Sequence, residues 1–105
     1  MFLHYQAETE KMEITTTLTG SEKQIAWANV IRLQTLAAFT DEVGPKIAGT
    51  IYETAIQSVL DGKTEASWWI DVSKDVNGYH NVIPYYRLAK IIGAEVTALV
   101  SKMVG

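Results

Sequence analysis

A helix start written twice, at Ser21, constrains this chain more than any other feature. In Leu18-Thr-Gly-Ser-Glu-Lys-Gln-Ile-Ala-Trp-Ala-Asn-Val-Ile-Arg32, the Ser21 hydroxyl is placed to accept from the backbone N–H three residues on, while the Gln24 side chain reaches back to the N–H of Ser21. Beyond it Ile25, Ala28, Ile31, Leu36 and Phe39 recur at helical spacing. A helix is therefore expected from about Ser21 to Phe39, with Glu22, Asn29 and Arg32 on its polar side. Apolar residues cover well over half of its circumference, which predicts a central helix touched by more than one neighbour.

The remaining elements are read around this one. Residues 2 to 18 look extended: Met12, Ile14, Thr16 and Leu18 alternate with Glu13, Thr15 and Thr17. Phe2 to Ala7 could pair with that run as a hairpin, or the whole could be an arm lying on the helices; such an arm can also exchange between two chains and make a homodimer. Thr40 and Asp41 offer a new helix start, and because proline is tolerated only in a first turn, the second helix is expected to begin close to Pro45 and to stop at Asp61-Gly62. A short third helix, capped by Thr64, is expected over Ala66 to Asp71. Neighbouring helical residues point about 100° apart, so of Trp68 and Trp69 one belongs in the core and one at its margin. Residues 72 to 81 read as a long loop with Asn77-Gly78 as its tightest turn. The last helix starts near Asn81 or Pro84 and carries Tyr85, Ala89, Ile92, Val96, Leu99 and Met103 as a seam, with Leu88, Ile91 and Val100 widening it and Gly93 permitting a close approach. The architecture expected is mainly α, about four helices in a compact bundle with an extended N-terminal arm or hairpin, in one domain over residues 1 to 105, the arm being 1 to 18 and the helical core 19 to 105.

Composition removes several function classes. The chain has no cysteine, which excludes a disulfide framework, a cysteine-based zinc site and a thiol nucleophile. Apolar residues make up 48% and charged residues 20%, ordinary globular usage that argues against disorder. No apolar run approaches a membrane span, and the first residues lack a basic segment, so a cytoplasmic protein of a host cell is expected. The net charge of −3 argues against a broad basic footprint for nucleic acid and favours a protein partner.

The chemistry-bearing residues are few. His4 and His80 stand at opposite ends of the chain without metal-ligand spacing, and no catalytic motif is present, so no enzyme, metal or cofactor is expected. Ser73, Asp75, Asn77 and Gly78 imitate half of a calcium loop, but Pro84 stands where the bidentate glutamate belongs, leaving an Asp/Asn/Gly turn as the simpler account. Gly20 and Ser21 at a helix start, with Lys23 and Arg32, offer a phosphate site that Arg87 and Lys90 would extend; the same Gly-Ser pair also serves a capped helix without any ligand. Three tryptophans and five tyrosines are many for this length, and Trp68, Trp69, Tyr85 and Tyr86, next to Arg87, form a candidate protein-binding patch. Trp27 is expected in the core.

The block Leu18 to Arg32, followed by Ala66-Ser-Trp-Trp-Ile-Asp71, resembles a small uncharacterised domain that recurs in bacterial and phage proteins. Its members share a pattern close to Leu-x-Gly-Ser-x-Lys-Gln-x-x-Trp-Ala-x-x-Ile-Arg and then Ala-x-Trp-Trp-Ile-Asp. The resemblance spans roughly Leu18 to Asp71 and implies a helical domain in a phage or mobile-element setting, with no established activity. Members usually continue the second block with Asn-Arg where this chain has Val72-Ser73, so a basic residue that might have served a ligand is missing. Two readings follow: a non-catalytic interaction protein that binds a host protein, one form being an inhibitor of a host defence system such as a CRISPR nuclease, or a nucleotide or nucleic-acid binder using Gly20, Ser21, Lys23 and Arg32.

Overall fold

The computed structural model describes residues 14 to 105. Among these residues there are four helices and no strand: α1 (Glu22–Ile47), α2 (Ile51–Asp61), α3 (Ala66–Ser73) and α4 (Tyr85–Val104). The mainly α architecture is the expected one. Its start is also as written: the Gln24 N–H donates to Ser21 Oγ at 3.2 Å, and Gln24 Oε1 accepts from the Ser21 N–H at 3.1 Å. Ala28, Ile31, Leu36 and Phe39 are buried, with Ile25 packed against them. α1 is central, packing against all three other helices and most extensively against α3, while α2 packs on α4.

The expected end of the first helix at Phe39 is not observed. α1 runs on through Thr40 and Asp41 because Val43 and Ile47 extend the apolar stripe of Phe39 at four-residue steps, and both pack against the core. Pro45 accordingly lies inside the last turn of α1, rather than opening α2. It deprives only the Asp41 carbonyl of its helical partner, and the helix ends two residues later, so the disruption stays local. The break is a type II turn: the Thr50 N–H donates to the Ile47 carbonyl at 2.9 Å, and Gly49 takes φ +77°, a conformation that costs glycine little. α2 then buries Ala55, Ile56 and Leu60 and stops at Asp61 before Gly62, as expected.

α3 is not capped by Thr64. Glu65 holds the cap position without a side-chain bond, and the chain satisfies this helix end from a distance: the Ala66 N–H donates to the Thr19 carbonyl at 2.9 Å and the Thr19 N–H to the Thr64 carbonyl at 2.8 Å. The segments Leu18 to Arg32 and Ala66 to Asp71 therefore meet here. Gly20 adopts φ +144°, and a Cβ on it would lie 3.0 Å from Gln24 Oε1 and 3.2 Å from Ala66 Cβ, so glycine is needed both for conformation and for clearance. Ahead of it Ile14 and Leu18 are buried and Thr15 and Thr17 exposed, the expected period-two alternation. Thr16 Oγ1 donates to the Asp61 carbonyl at 3.3 Å, which ties this segment to the end of α2. The proposed hairpin of residues 2 to 7 lies outside the described residues.

α4 begins after Pro84 and buries Leu88, Ile92 and Val96, with Leu99 and Val100 partly covered. The seam is narrower than expected, since Tyr85, Ala89, Ile91 and Met103 are exposed. Gly93 mediates no close approach: a Cβ there would meet nothing within 4 Å. It lies one residue beyond the buried line, where no other element arrives.

Candidate functional site

The residues expected to hold phosphate are spread rather than gathered. Ser21 Oγ is engaged by the Gln24 N–H, and Gly20 faces Ala66. Lys23 and Arg32 are nine residues apart on α1, so at about 100° and 1.5 Å per residue they point to opposite sides and stand about 13 Å apart along the axis. Arg32 is not on a polar face. It is buried, donating to the Thr16 carbonyl at 2.9 Å and to Asn29 Oδ1 at 3.0 Å. Burial pushes its guanidinium below the ordinary value, with Asp61 opposing. Its role here is to hold the segment before α1.

The aromatic patch expected from Trp68, Trp69, Tyr85 and Tyr86 is divided by the fold. Trp69 is fully buried, its indole N–H donating to the Lys63 carbonyl at 2.9 Å, and it is unavailable at the surface. The reason is that the α3 face bearing Ala66, Trp69 and Ile70 is the one turned inward. Trp68 stands at the margin, its ring edge-on to Trp69 at 5.0 Å and under the Lys63 ammonium at 5.3 Å. Lys63 in turn pairs with Glu95 of α4 at 2.9 Å. Tyr85 and Tyr86 make their own edge-to-face pair at 5.8 Å, and among the described residues no ring contact joins them to the tryptophans.

A further exposed tyrosine stands on the loop after α3. Tyr79 is 49% and Tyr86 67% exposed. Tyr79 rests edge-on against Trp27 at 5.5 Å, and the Lys74 ammonium lies 5.1 Å from its ring. The loop that presents it is bonded at several points. The turn Asp75 to Gly78 is closed by backbone bonds of 2.8 and 3.0 Å, with Gly78 at φ +111°. Asp75 Oδ1 accepts from the Asn77 N–H at 2.7 Å and contacts His80 Nε2 at 2.9 Å. Trp27 Nε1 donates to Asn81 Oδ1 at 3.1 Å, the Ile83 N–H donates to the buried Thr35 hydroxyl at 2.8 Å, and the Arg87 guanidinium donates to the Lys74 carbonyl. Trp27 is thus only partly in the core, because its indole braces this loop.

The hydrogen bond from His80, then that from Asn77, hold the Asp75 carboxyl below its ordinary value. That carboxylate is occupied by the turn, and among the described residues no three acidic or histidine side chains gather as a metal site. Ser73 Oγ donates to the Ile70 carbonyl at 2.7 Å and lies 3.5 Å from the backbone N–H of His80, not from its ring, so histidine and hydroxyl are not arranged as base and nucleophile. No family model, curated protein or solved structure matches the chain. The site must therefore be read from its own geometry. Sequence patterning singled out Tyr85 and Tyr86 but not Tyr79, whose importance depends on Trp27, 52 residues earlier. The only local signal was Asn77-Gly78, which fixes the turn that aims it.

Proposed function

We propose that this protein is a non-catalytic interaction module that binds a protein partner through the surface of Tyr79, Tyr85 and Tyr86, flanked by Lys74 and Arg87. The observation that carries this reading is a set of exposed tyrosines on a loop and helix start tied to α1 by Trp27 to Asn81, Ile83 to Thr35 and Tyr79 on Trp27, and to α3 by His80 to Ser73. Rigid aromatic side chains give large contact area for little rotamer entropy lost, and neighbouring cations add hydrogen-bond donors, which is the make-up of interface hot spots. The setting implied by the motif resemblance is a phage or mobile element, and the partner is then a host protein; inhibition of a host defence nuclease is one specific form of that role. The net charge of −3 favours a protein over a nucleic acid.

The direct test of the competing nucleic-acid reading is fluorescence anisotropy with a labelled single-stranded oligonucleotide at low salt. No binding at micromolar protein is expected. Binding that weakens steeply with salt and is lost on Lys23→Ala would overturn the proposal in favour of phosphate recognition. The tyrosine surface is probed by Tyr86→Ser, which should weaken partner binding about tenfold or more with an unchanged melting temperature. Trp69→Ala is no probe of this surface, because removing a buried ring costs about 3–5 kcal/mol and would unfold the chain.

A further inference from the structure

The charges of this chain are unevenly placed. From Lys74, the first residue after α3, to Lys90 in α4, the cations Lys74, Arg87 and Lys90 stand against a single carboxylate, Asp75. The whole chain has nine Lys and Arg and twelve Asp and Glu, so the remainder holds six against eleven, a net −5 beside +2 here. Counting in Asp71, three residues before Lys74, still leaves cations in excess. Asp75 is also occupied already, by the Asn77 N–H at 2.7 Å and by His80 Nε2 at 2.9 Å. These cations meet the exposed tyrosines in space. The Lys74 ammonium lies 5.1 Å from the Tyr79 ring, the Lys74 carbonyl accepts from Arg87, and Arg87 directly follows the exposed Tyr85 and Tyr86. Lys90 comes four residues after Tyr86, on the same side of α4. Among the described residues, neither the hydroxyls of the three tyrosines nor the ammonium groups of Lys74 and Lys90 have a hydrogen-bond or ion-pair partner.

We infer that the segment this surface takes from its partner is acidic, a short exposed stretch of protein chain bearing several carboxylates; the inference rests on the tyrosine surface proposed above. Ammonium, guanidinium and phenol groups all donate to carboxylates, while the tyrosine rings cover the aliphatic parts of the same segment. The uneven charge orients the encounter. A carboxylate-rich segment is repelled by the acidic remainder of the chain and drawn to the stretch from Lys74 to Lys90. The same unevenness selects a short ligand over a long polyanion. Duplex nucleic acid carries one charge per about 1.7 Å and would run past these three cations into the field of the acidic remainder, whereas a short acidic segment ends among them.

Fluorescence anisotropy of the full chain at low salt tests this with a labelled peptide of glutamate, leucine and glycine and with its glutamine counterpart. The glutamate peptide should bind about tenfold tighter or more, and the margin should close as salt is raised. Lys74→Glu/Lys90→Glu should erase that margin at an unchanged melting temperature, because both side chains are exposed. Tyr86→Ser should weaken both peptides. Equal binding of the two peptides, each still weakened by Tyr86→Ser, would overturn the acidic segment and leave the tyrosine surface standing. Indifference of both peptides to Tyr86→Ser would overturn the tyrosine surface and the inference with it. A glutamate preference that survives the lysine variant, or no binding of either peptide, would overturn the inference as well. A single-stranded oligonucleotide that binds more tightly than the glutamate peptide and is lost with the lysine variant would overturn it in favour of nucleic acid, and self-association lost with that variant in favour of a second copy.

Discussion

Arg32 shows how far a residue's role can lie from its type. A guanidinium in a helix reads as a surface group or an anion ligand, yet here it is buried and spends its donors on the Thr16 carbonyl and Asn29 Oδ1. Because hydrogen bonds to a charged group are worth more than neutral ones, Arg32→Ala should lower stability by about 2–3 kcal/mol, read as a shifted denaturation midpoint with an unchanged slope. No loss would mean that the segment before α1 is held without it. Asp75 gives a pH prediction. Its folded carboxyl lies below the ordinary value of 3.8, so the stabilisation it lends the turn is present above that value and is lost as pH falls through the lower, folded one. A carboxyl titration followed by NMR should place the Asp75 midpoint below 3.8, and Asp75→Asn should remove that part of the acid dependence. A midpoint at or above the ordinary value would contradict the contact with His80.

Among the elements, what the sequence disclosed depended on how local the cause was. The start of α1 lies in four consecutive residues, Ser21 to Gln24, and was legible. Its end was not, because Thr40, Asp41 and Pro45 signal a boundary while Val43 and Ile47 continue the buried stripe, and packing outweighed them. The cap of α3 was beyond reach for a different reason: its partner, Thr19, is 47 residues before Ala66. In the candidate site the Asn77-Gly78 turn and the exposed Tyr85 and Tyr86 were readable locally, whereas the bracing of Tyr79 by Trp27 is a long-range contact that no local pattern encodes. Gly93 supplies the test at this scale. With open space where its Cβ would be and an interior helical position, Gly93→Ala should stabilise the protein by roughly 0.5–1 kcal/mol, seen as a higher melting temperature. Destabilisation would reveal a neighbour at that face.

The whole molecule is a small helical body in which the two sequence blocks serve chiefly to join α1 to α3, through Gly20 on Ala66 and Thr19 between Thr64 and Ala66. Such a junction asks nothing of a ligand, which leaves function to surfaces outside it. The proposed function lies with the tyrosines beside the braced loop. Its most direct test is capture from nuclease-treated bacterial lysate, comparing the tagged wild-type chain with Tyr79→Ser/Tyr86→Ser of matched melting temperature. A defined protein partner that survives nuclease treatment should be captured with the wild type and lost with the double variant. Equal capture by both chains, or loss of every partner after nuclease treatment, would contradict it.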